Sequence, residues 1–402
     1  MNRTLEEIIS LAGQCRCGYR HHDIRIEQMV VSHDAFEQLA AYLHNKRYEK
    51  VAMIADEHTF AAAGRPLCDS LEKESVRYTV CLVQPDENGD VIADERSIVQ
   101  VLLETPNDAD VMIAVGAGTI HDITRFSSYK MNIPFISVPT APSVDGFTSM
   151  GAPLIIRGVK KTIQAQAPIA LFAHMDVLRQ APKSMIAAGF GDMVAKYTSL
   201  ADWQFAHFMA DEPYCPFVHQ LTEQSLKACV DHMDEIAAGE EQGIHVLMDA
   251  LLQSGIAMLL MGQSYPASGA EHHLSHYWEM EFLRQKKRQV LHGMKVGVST
   301  PIVIEWYQRV FLPMLNGLEE RPGPIDEAKW ERLKANAAYF REQLQSLPSP
   351  EQFRAMIGKV GGAIAPEQLG IDPQLVERSL REAHRLRSNR FTMLYFLNEF
   401  VL

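Results

Sequence analysis

Asp110-Val111-Met112-Ile113-Ala114-Val115 runs straight into Gly116-Ala117-Gly118-Thr119-Ile120-His121-Asp122. After Asp110 the first run is apolar and rich in β-branched residues. It is too short for a helix and reads as a strand buried on both faces. The glycines mark a tight turn, and the residues behind them open a helix. Glycine lets a backbone approach a ligand closely, and the N–H groups of a helix N-terminus attract phosphate. The spacing is not the usual dinucleotide fingerprint, because His121 stands at the third glycine position of G-x-G-x-x-G. Alone, the turn fits a plain strand-to-helix connection as well as a phosphate cradle.

The flanking sequence repeats the pattern. Val51–Asp56, Tyr78–Val83 and Pro134–Val138 read as further strands, and His58–Gly64, Leu67–Glu74 and Ser97–Leu103 as helices between them. Short apolar runs separated by helices predict a parallel sheet with crossover helices. From about Pro182 onward the apolar spacing becomes helical. The clearest helices are Met185–Phe208, Gln220–Gly239, Gly243–Gly262 and Glu327–Leu347, with a loop over Asn316–Ile325. The expectation is an α/β domain over residues 1–182 and an all-α domain over residues 183–402.

Composition narrows the function. Of 402 residues 47% are hydrophobic and 22% charged, as in ordinary globular proteins. Lys and Arg number 38 against 50 Asp and Glu, a net charge of −12, which argues against nucleic acid as a partner. Cys15, Cys17, Cys68, Cys81, Cys215 and Cys229 are too scattered for a disulfide scaffold. Cys15-Arg16-Cys17 is the one close pair, with no second pair to complete a four-cysteine zinc site. All six read as free thiols in a reducing compartment. The first residues lack the apolar core of a signal peptide. Val246–Met261 is interrupted by Asp249, Gln253 and Ser254 and reads as a buried helix rather than a membrane span. The expected location is the cytoplasm.

Several segments carry chemistry. Asp56 ends the first strand, where a carboxylate could hold a ribose hydroxyl. It lies far upstream of the glycine turn, and a helix cap is the commoner use of such an Asp. Pro139-Thr140-Ala141-Pro142-Ser143-Val144-Asp145-Gly146-Phe147-Thr148-Ser149 brings hydroxyls and one carboxylate after the fourth strand, though polar loops of this kind are common. Asp192, His272 and His292 lie in Gly191–Lys196, Ser268–His276 and Leu291–Gly297. Two histidines and one carboxylate leave a metal an open position for water or substrate. His272 and His276 share one helical face. With 16 histidines in the chain, chance proximity is a serious rival if the motifs are read singly. Arg284-Gln285-Lys286-Lys287-Arg288 reads as a solvated helix face.

In order, Val115–Asp122, Pro139–Gly146, Gly189–Lys196, Ser268–His276 and His292–Gly297 resemble the glycerol-1-phosphate dehydrogenase family, bacterial branch. Its superfamily also holds glycerol dehydrogenase, iron-containing alcohol dehydrogenases and dehydroquinate synthase. The resemblance runs from about residue 20 to about residue 300, and the last hundred residues add no motif to it. It implies a dehydroquinate synthase-like fold: a Rossmann-like N-terminal domain, a helical C-terminal domain and an active site between them. Residue by residue, it implies that Asp56 holds the adenosine ribose of NAD and that Gly118, Thr119, Ile120, His121 and Asp122 form the pyrophosphate turn. Thr140, Ala141, Pro142 and Ser143, with Ser149, line the nicotinamide side. Asp192, His272 and His292 are the catalytic metal ligands, and Asp145, Asp192 and His276 contact substrate.

Ala117 replaces a glycine common among relatives and is tolerable at negative φ. A carboxylate at Asp56 would repel a 2′-phosphate, which favours NAD, with NADP second. The ligand set suits zinc, nickel or iron, and the family admits zinc and nickel ahead of iron. Lys196, one turn after Asp192, is a candidate phosphate contact. The implied activity is metal-assisted, reversible hydride transfer between NAD(P)H and dihydroxyacetone phosphate by a homodimer, with no nucleic-acid or membrane partner. The alternatives are a glycerol dehydrogenase acting on unphosphorylated glycerol or dihydroxyacetone, and a lyase of the dehydroquinate synthase type.

Overall fold

In the computed structural model, which describes residues 3–402 except 320, 322 and 388, Val111–Gly116 is a strand buried along its whole length. Glu320 and Pro322, within the expected loop at Asn316–Ile325, lie outside the described residues. The strands are β1 (Gln28–Ser32), β2 (Lys50–Ala55), β3 (Arg77–Leu82), β4 (Val111–Gly116), β5 (Phe135–Pro139), β6 (Gly151–Ile156), β7 (Val159–Gln164) and β8 (Ala170–His174). Six of them form a parallel sheet in the order β1-β8-β5-β4-β2-β3. The four strands read from sequence are β2 to β5, each displaced by one residue.

The sheet is covered on both faces, as a parallel sheet requires. On one face, α2 (Ala35–Lys46) and α3 (Arg65–Lys73) bring Phe36, Leu39, Leu43, Leu67 and Leu71 onto Val51, Met53, Val111 and Ile113. On the other, α4 (Glu95–Glu104) and α5 (Gly118–Met131) bring Ile98, Val101, Ile120 and Ile123 onto Ala52, Ile54 and Met112. Asp94 starts α4 by accepting from Ser97 N at 3.0 Å. β6 and β7 pair antiparallel and lie against α5.

After β8 the chain is helical: α6 (Lys183–Val194), α7 (Lys196–Ala210), α8 (Pro216–Asp231), α9 (Glu241–Met261), α10 (Ala270–Arg284) and α11 (His292–Trp306). The helix expected over Met185–Phe208 is α6 and α7, broken at Ala195. The one expected over Gln220–Gly239 is α8 followed by Met233–Ala238. By length and hydropathy α9 could cross a membrane, but it is packed inside this half against Leu226, Cys229 and Ile236. α1 (Leu5–Gly13) lies on the helical half, with Ile8 against Trp203, Val218 and Leu260. The basic run is a turn rather than a helix face: Arg284 ends α10, and Arg288 forks onto Asp90 at 2.8–3.2 Å.

Candidate active site

Sheet order explains the spacing of the candidate nucleotide residues. β4 lies between β2 and β5, so their C-terminal ends stand side by side. Asp56 follows β2, the glycine turn follows β4, and the Thr140–Ser149 loop follows β5. Such an edge is where open α/β sheets bind ligands. Asp56 is also the helix cap that its position suggested, with Oδ1 accepting from Thr59 N at 2.8 Å. In the turn, a side chain on Gly116 would strike Ile120 Cβ at 2.7 Å. Ala117 has φ −90°, so its methyl is tolerated.

The turn residues divide by role. Gly118, Thr119 and Ile120 lie in the first turn of α5, whose leading N–H groups have no partner within the helix. The N–H of His121 is given to Ala117 O at 3.2 Å. Its ring bridges Ala117 O (Nδ1, 2.9 Å) and Ser137 Oγ (Nε2, 2.7 Å). Burial pushes the imidazole down to about 3, so His121 is a neutral strut. Asp122 pairs with the buried Arg125 at 2.9 Å, and burial pushes its carboxyl up to about 7 against the pull of Arg125. Arg125 also donates to Gly146 O (2.6 Å) and Gly151 O (3.0 Å), which braces the loop after β5 against α5.

That loop also reaches the helical half. Thr148 Oγ1 donates to Leu252 O at 2.9 Å, and Ser149 Oγ turns back to Gly146 O at 3.1 Å. Thr140 N donates to Gly116 O at 3.1 Å, and Ser143 N to Ala141 O at 3.0 Å. At Pro142 the backbone meets α6: a Cβ on Gly189 would lie 1.9 Å from Pro142 O.

The metal candidates converge because α6 and α11 cross without side chains between them. A Cβ on Gly191 would lie 2.5 Å from Gly293 O, and one on Gly293 would lie 1.8 Å from Ala188 O. Asp192 and His292, next to these glycines in sequence, are thereby carried to one point. α10 supplies His272, with its N-terminus fixed by Asp202, which accepts from Ala270 N at 2.8 Å. Donor atoms of Asp192, His272 and His292 all lie within 4.8 Å of one another.

The donor chemistry fits a divalent metal. His272 Nε2 stands 3.7 Å from Asp192 Oδ1, too far for a hydrogen bond. His272 Nδ1 meets Glu271 Oε1 at 2.7 Å, the carboxylate–histidine arrangement that orients a metal-binding ring. Glu271 is itself held by Gly269 N and Thr198 Oγ1, both at 2.6 Å. Burial works against its charge, but the bonds to His272 and Thr198 win and keep the carboxyl below its usual range. Sequence reading passed over Glu271, although it stands directly before His272.

Asp145 and Asp192 are linked through Lys196. Its ammonium meets Asp145 Oδ2 at 2.8 Å and Asp192 Oδ1 at 3.1 Å and donates to Ala267 O at 3.0 Å. These three acceptors match the three protons of the ammonium, and the side chain that helical spacing offered as a phosphate contact is fully buried among them. Asp145 further accepts from Ser254 Oγ at 2.8 Å, and its N–H donates to Asp192 Oδ2 at 3.1 Å.

His276 lies one turn beyond His272, its ring centre 5.7 Å from that of His292. Burial, reinforced by Lys160, pushes it down to about 3. Its neighbour Glu279 gathers two cations: Lys160 from β7 at 2.8 Å and the buried Lys295 from α11 at 3.0 Å. Arg387, in the last hundred residues, donates to Ser268 Oγ (2.5 Å) and Ser264 Oγ (2.9 Å) on the loop before α10. Lys160, Lys295, Glu279 and Arg387 were not singled out from sequence, because only the tertiary fold brings them together.

The family model for iron-containing alcohol dehydrogenases matches residues 30–182. An iron-containing alcohol dehydrogenase from Thermococcus thioreducens superposes with a TM-score of 0.66 at 14% identity, over 93% of either chain. The fold is therefore that of the iron-containing alcohol dehydrogenase class. A relative from Geobacillus stearothermophilus, named glycerol-1-phosphate dehydrogenase (NAD(P)+), is 83% identical over 100% of this chain and 99% of its own. One of the same name from Bacillus subtilis is 43% identical over 94% of this chain and 92% of its own. The chain belongs to the glycerol-1-phosphate dehydrogenase family.

Proposed function

We propose that this protein catalyses the reversible NAD(P)-dependent interconversion of dihydroxyacetone phosphate and sn-glycerol 1-phosphate. The observation that carries the reading is the convergence of Asp192, His272 and His292, with Asp145 hydrogen-bonded to Asp192. In this reading these three residues would hold one divalent metal, zinc or nickel, which would supply Lewis acidity to the site. A bound nicotinamide would supply the hydride chemistry.

The chain's own groups do the positioning. Asp56 takes the adenosine ribose, and the N–H groups of Gly118, Thr119 and Ile120 take the pyrophosphate. Thr140, Ala141, Pro142, Ser143 and Ser149 line the nicotinamide. Asp145, locked by Lys196 and Ser254, and the neutral His276 orient the substrate. A hydroxyl or water chain carries the proton. Residues 1–182 serve as the nucleotide side and residues 183–402 as the metal side of a cytoplasmic homodimer.

Lys160 and Lys295 share Glu279 and together leave one positive charge beside His276. We assign the substrate phosphate to this edge, with Lys160 as its contact. A charge-assisted hydrogen bond is worth about 1.5–3 kcal/mol, and 1.4 kcal/mol is tenfold. Lys160→Ala should therefore raise KM for dihydroxyacetone phosphate by roughly 10- to 100-fold. Turnover of unphosphorylated dihydroxyacetone should stay as it was. Equal losses on both substrates would remove Lys160 from the phosphate site.

The test of the whole reading is NADH oxidation by metal-stripped protein resupplied with zinc, nickel or iron. Turnover of the phosphorylated ketone that requires metal is the expected result. Better turnover of dihydroxyacetone would favour a glycerol dehydrogenase. No net NADH change with either ketone would favour the lyase.

A further inference from the structure

We propose a second metal site, a closed structural zinc centre formed by Cys15, Cys17, His21 and Cys215. In sequence only Cys15 and Cys17 stand close together, with no second pair to complete a site. The fold completes them. The segment after α1 brings His21 to Cys17, and Cys215, the residue just before α8, joins them.

Cys17 Sγ and Cys215 Sγ each lie 3.5 Å from His21 Nε2, and Cys15 Sγ lies 3.5 Å from Cys215 Sγ. All four donor atoms lie within 4.8 Å of one another. Zinc bonds of about 2.3 Å to sulfur and about 2.05 Å to nitrogen, at the tetrahedral angle, separate sulfur from nitrogen by about 3.6 Å and sulfur from sulfur by about 3.8 Å. The three 3.5 Å separations stand close to those values, and every other pair lies within 4.8 Å. The sulfurs of Cys15 and Cys215 are far beyond the roughly 2.05 Å of a disulfide. Three cysteines and one histidine are a common closed zinc set, and four protein ligands leave no position for substrate.

The role follows from what the site joins. The segment carrying Cys15, Cys17 and His21 lies on the helical half, where Cys15, Cys17 and Tyr19 pack beside Trp203 and Met261. Tyr19 OH donates to Met261 O at 2.8 Å, at the end of α9. From there the chain runs through Ser264 and Ser268 to the start of α10 and His272. A zinc ion would staple this N-terminal segment to the start of α8, beside the helix end that leads to the active site. The inference is independent of which substrate the enzyme uses.

The test uses the full chain loaded with cobalt in place of zinc. Thiolate-bound cobalt absorbs strongly in the near ultraviolet, and the Asp192, His272 and His292 set contains no sulfur. Wild-type protein should bind two metals per chain and show the thiolate band. Asp192→Ala should keep that band while binding one metal fewer. Cys17→Ser with Cys215→Ser should lose the band and one metal, keep the other metal, and melt at a lower temperature. The wild-type spectrum needs no variant to fold. Absence of the band from cobalt-loaded wild type would overturn the proposal, as would one metal per chain or a Cys15–Cys215 disulfide in the purified protein.

Discussion

Asp192→Ala is expected to lose bound active-site metal and dehydrogenase activity together, with kcat/KM falling on the order of 1000-fold or more. The magnitude follows from several kcal/mol of Lewis-acid stabilisation at about 1.4 kcal/mol per tenfold. The fold should survive the change. Lys196 keeps its 2.8 Å pairing with Asp145 and its bond to Ala267 O, so the cation is not stranded. The released Asp145 N–H costs about one hydrogen bond, roughly 1–3 kcal/mol when buried. Metal content by mass spectrometry, circular dichroism and steady-state kinetics on one preparation decide the matter. Activity lost with active-site metal fully retained would remove Asp192 from the ligand set. His272→Ala should behave the same way, because Asp192 and His292 alone make a two-donor site.

Much of this architecture was legible in single residues. β4 announced itself because it is buried on both faces, which selects an unbroken apolar run, and the glycines after it could mark little else than a turn. The metal candidates were legible as motifs, but the cause of their convergence was not. Gly191 and Gly293 read as ordinary helical glycines until α6 and α11 are seen to cross there. The β6–β7 hairpin escaped notice because its turn is Arg157-Gly158, both at positive φ, and arginine is an unusual residue for that conformation. β1 is an edge strand with half-buried residues, so its pattern is weak. Helical spacing placed Lys196 beside Asp192 correctly. What the spacing could not show was Asp145 arriving from the loop after β5 and consuming the charge. The same limit hid His21 and Cys215 from the Cys15–Cys17 pair, since some two hundred residues separate the halves of that cluster.

Lys196→Met is expected to destabilise the metal-free protein by about 3–5 kcal/mol, the usual cost of removing one partner from a buried ion cluster. Lys196 is fully buried, and burial would lower its pKa. Asp145 and Asp192 outweigh that and hold the ammonium protonated. With methionine in its place, two buried carboxylates joined by a 3.1 Å backbone bond lose their shared counter-charge. Asp145, which burial and the charge of Asp192 already push upward, should rise further. A carboxyl whose folded pKa exceeds its unfolded value stabilises the fold while protonated. That contribution is present below the unfolded value near 4 and is lost as pH rises through the folded value. The gap between variant and wild type should therefore widen from pH 5 to pH 8. A bound divalent cation restores positive charge beside Asp192, so saturating metal should narrow the gap at the higher pH. Urea unfolding at the two pH values, with and without metal, measures each of these. A variant within about 1 kcal/mol of wild type at both pH values would mean that solvent or relaxation, rather than Lys196, balances the two carboxylates.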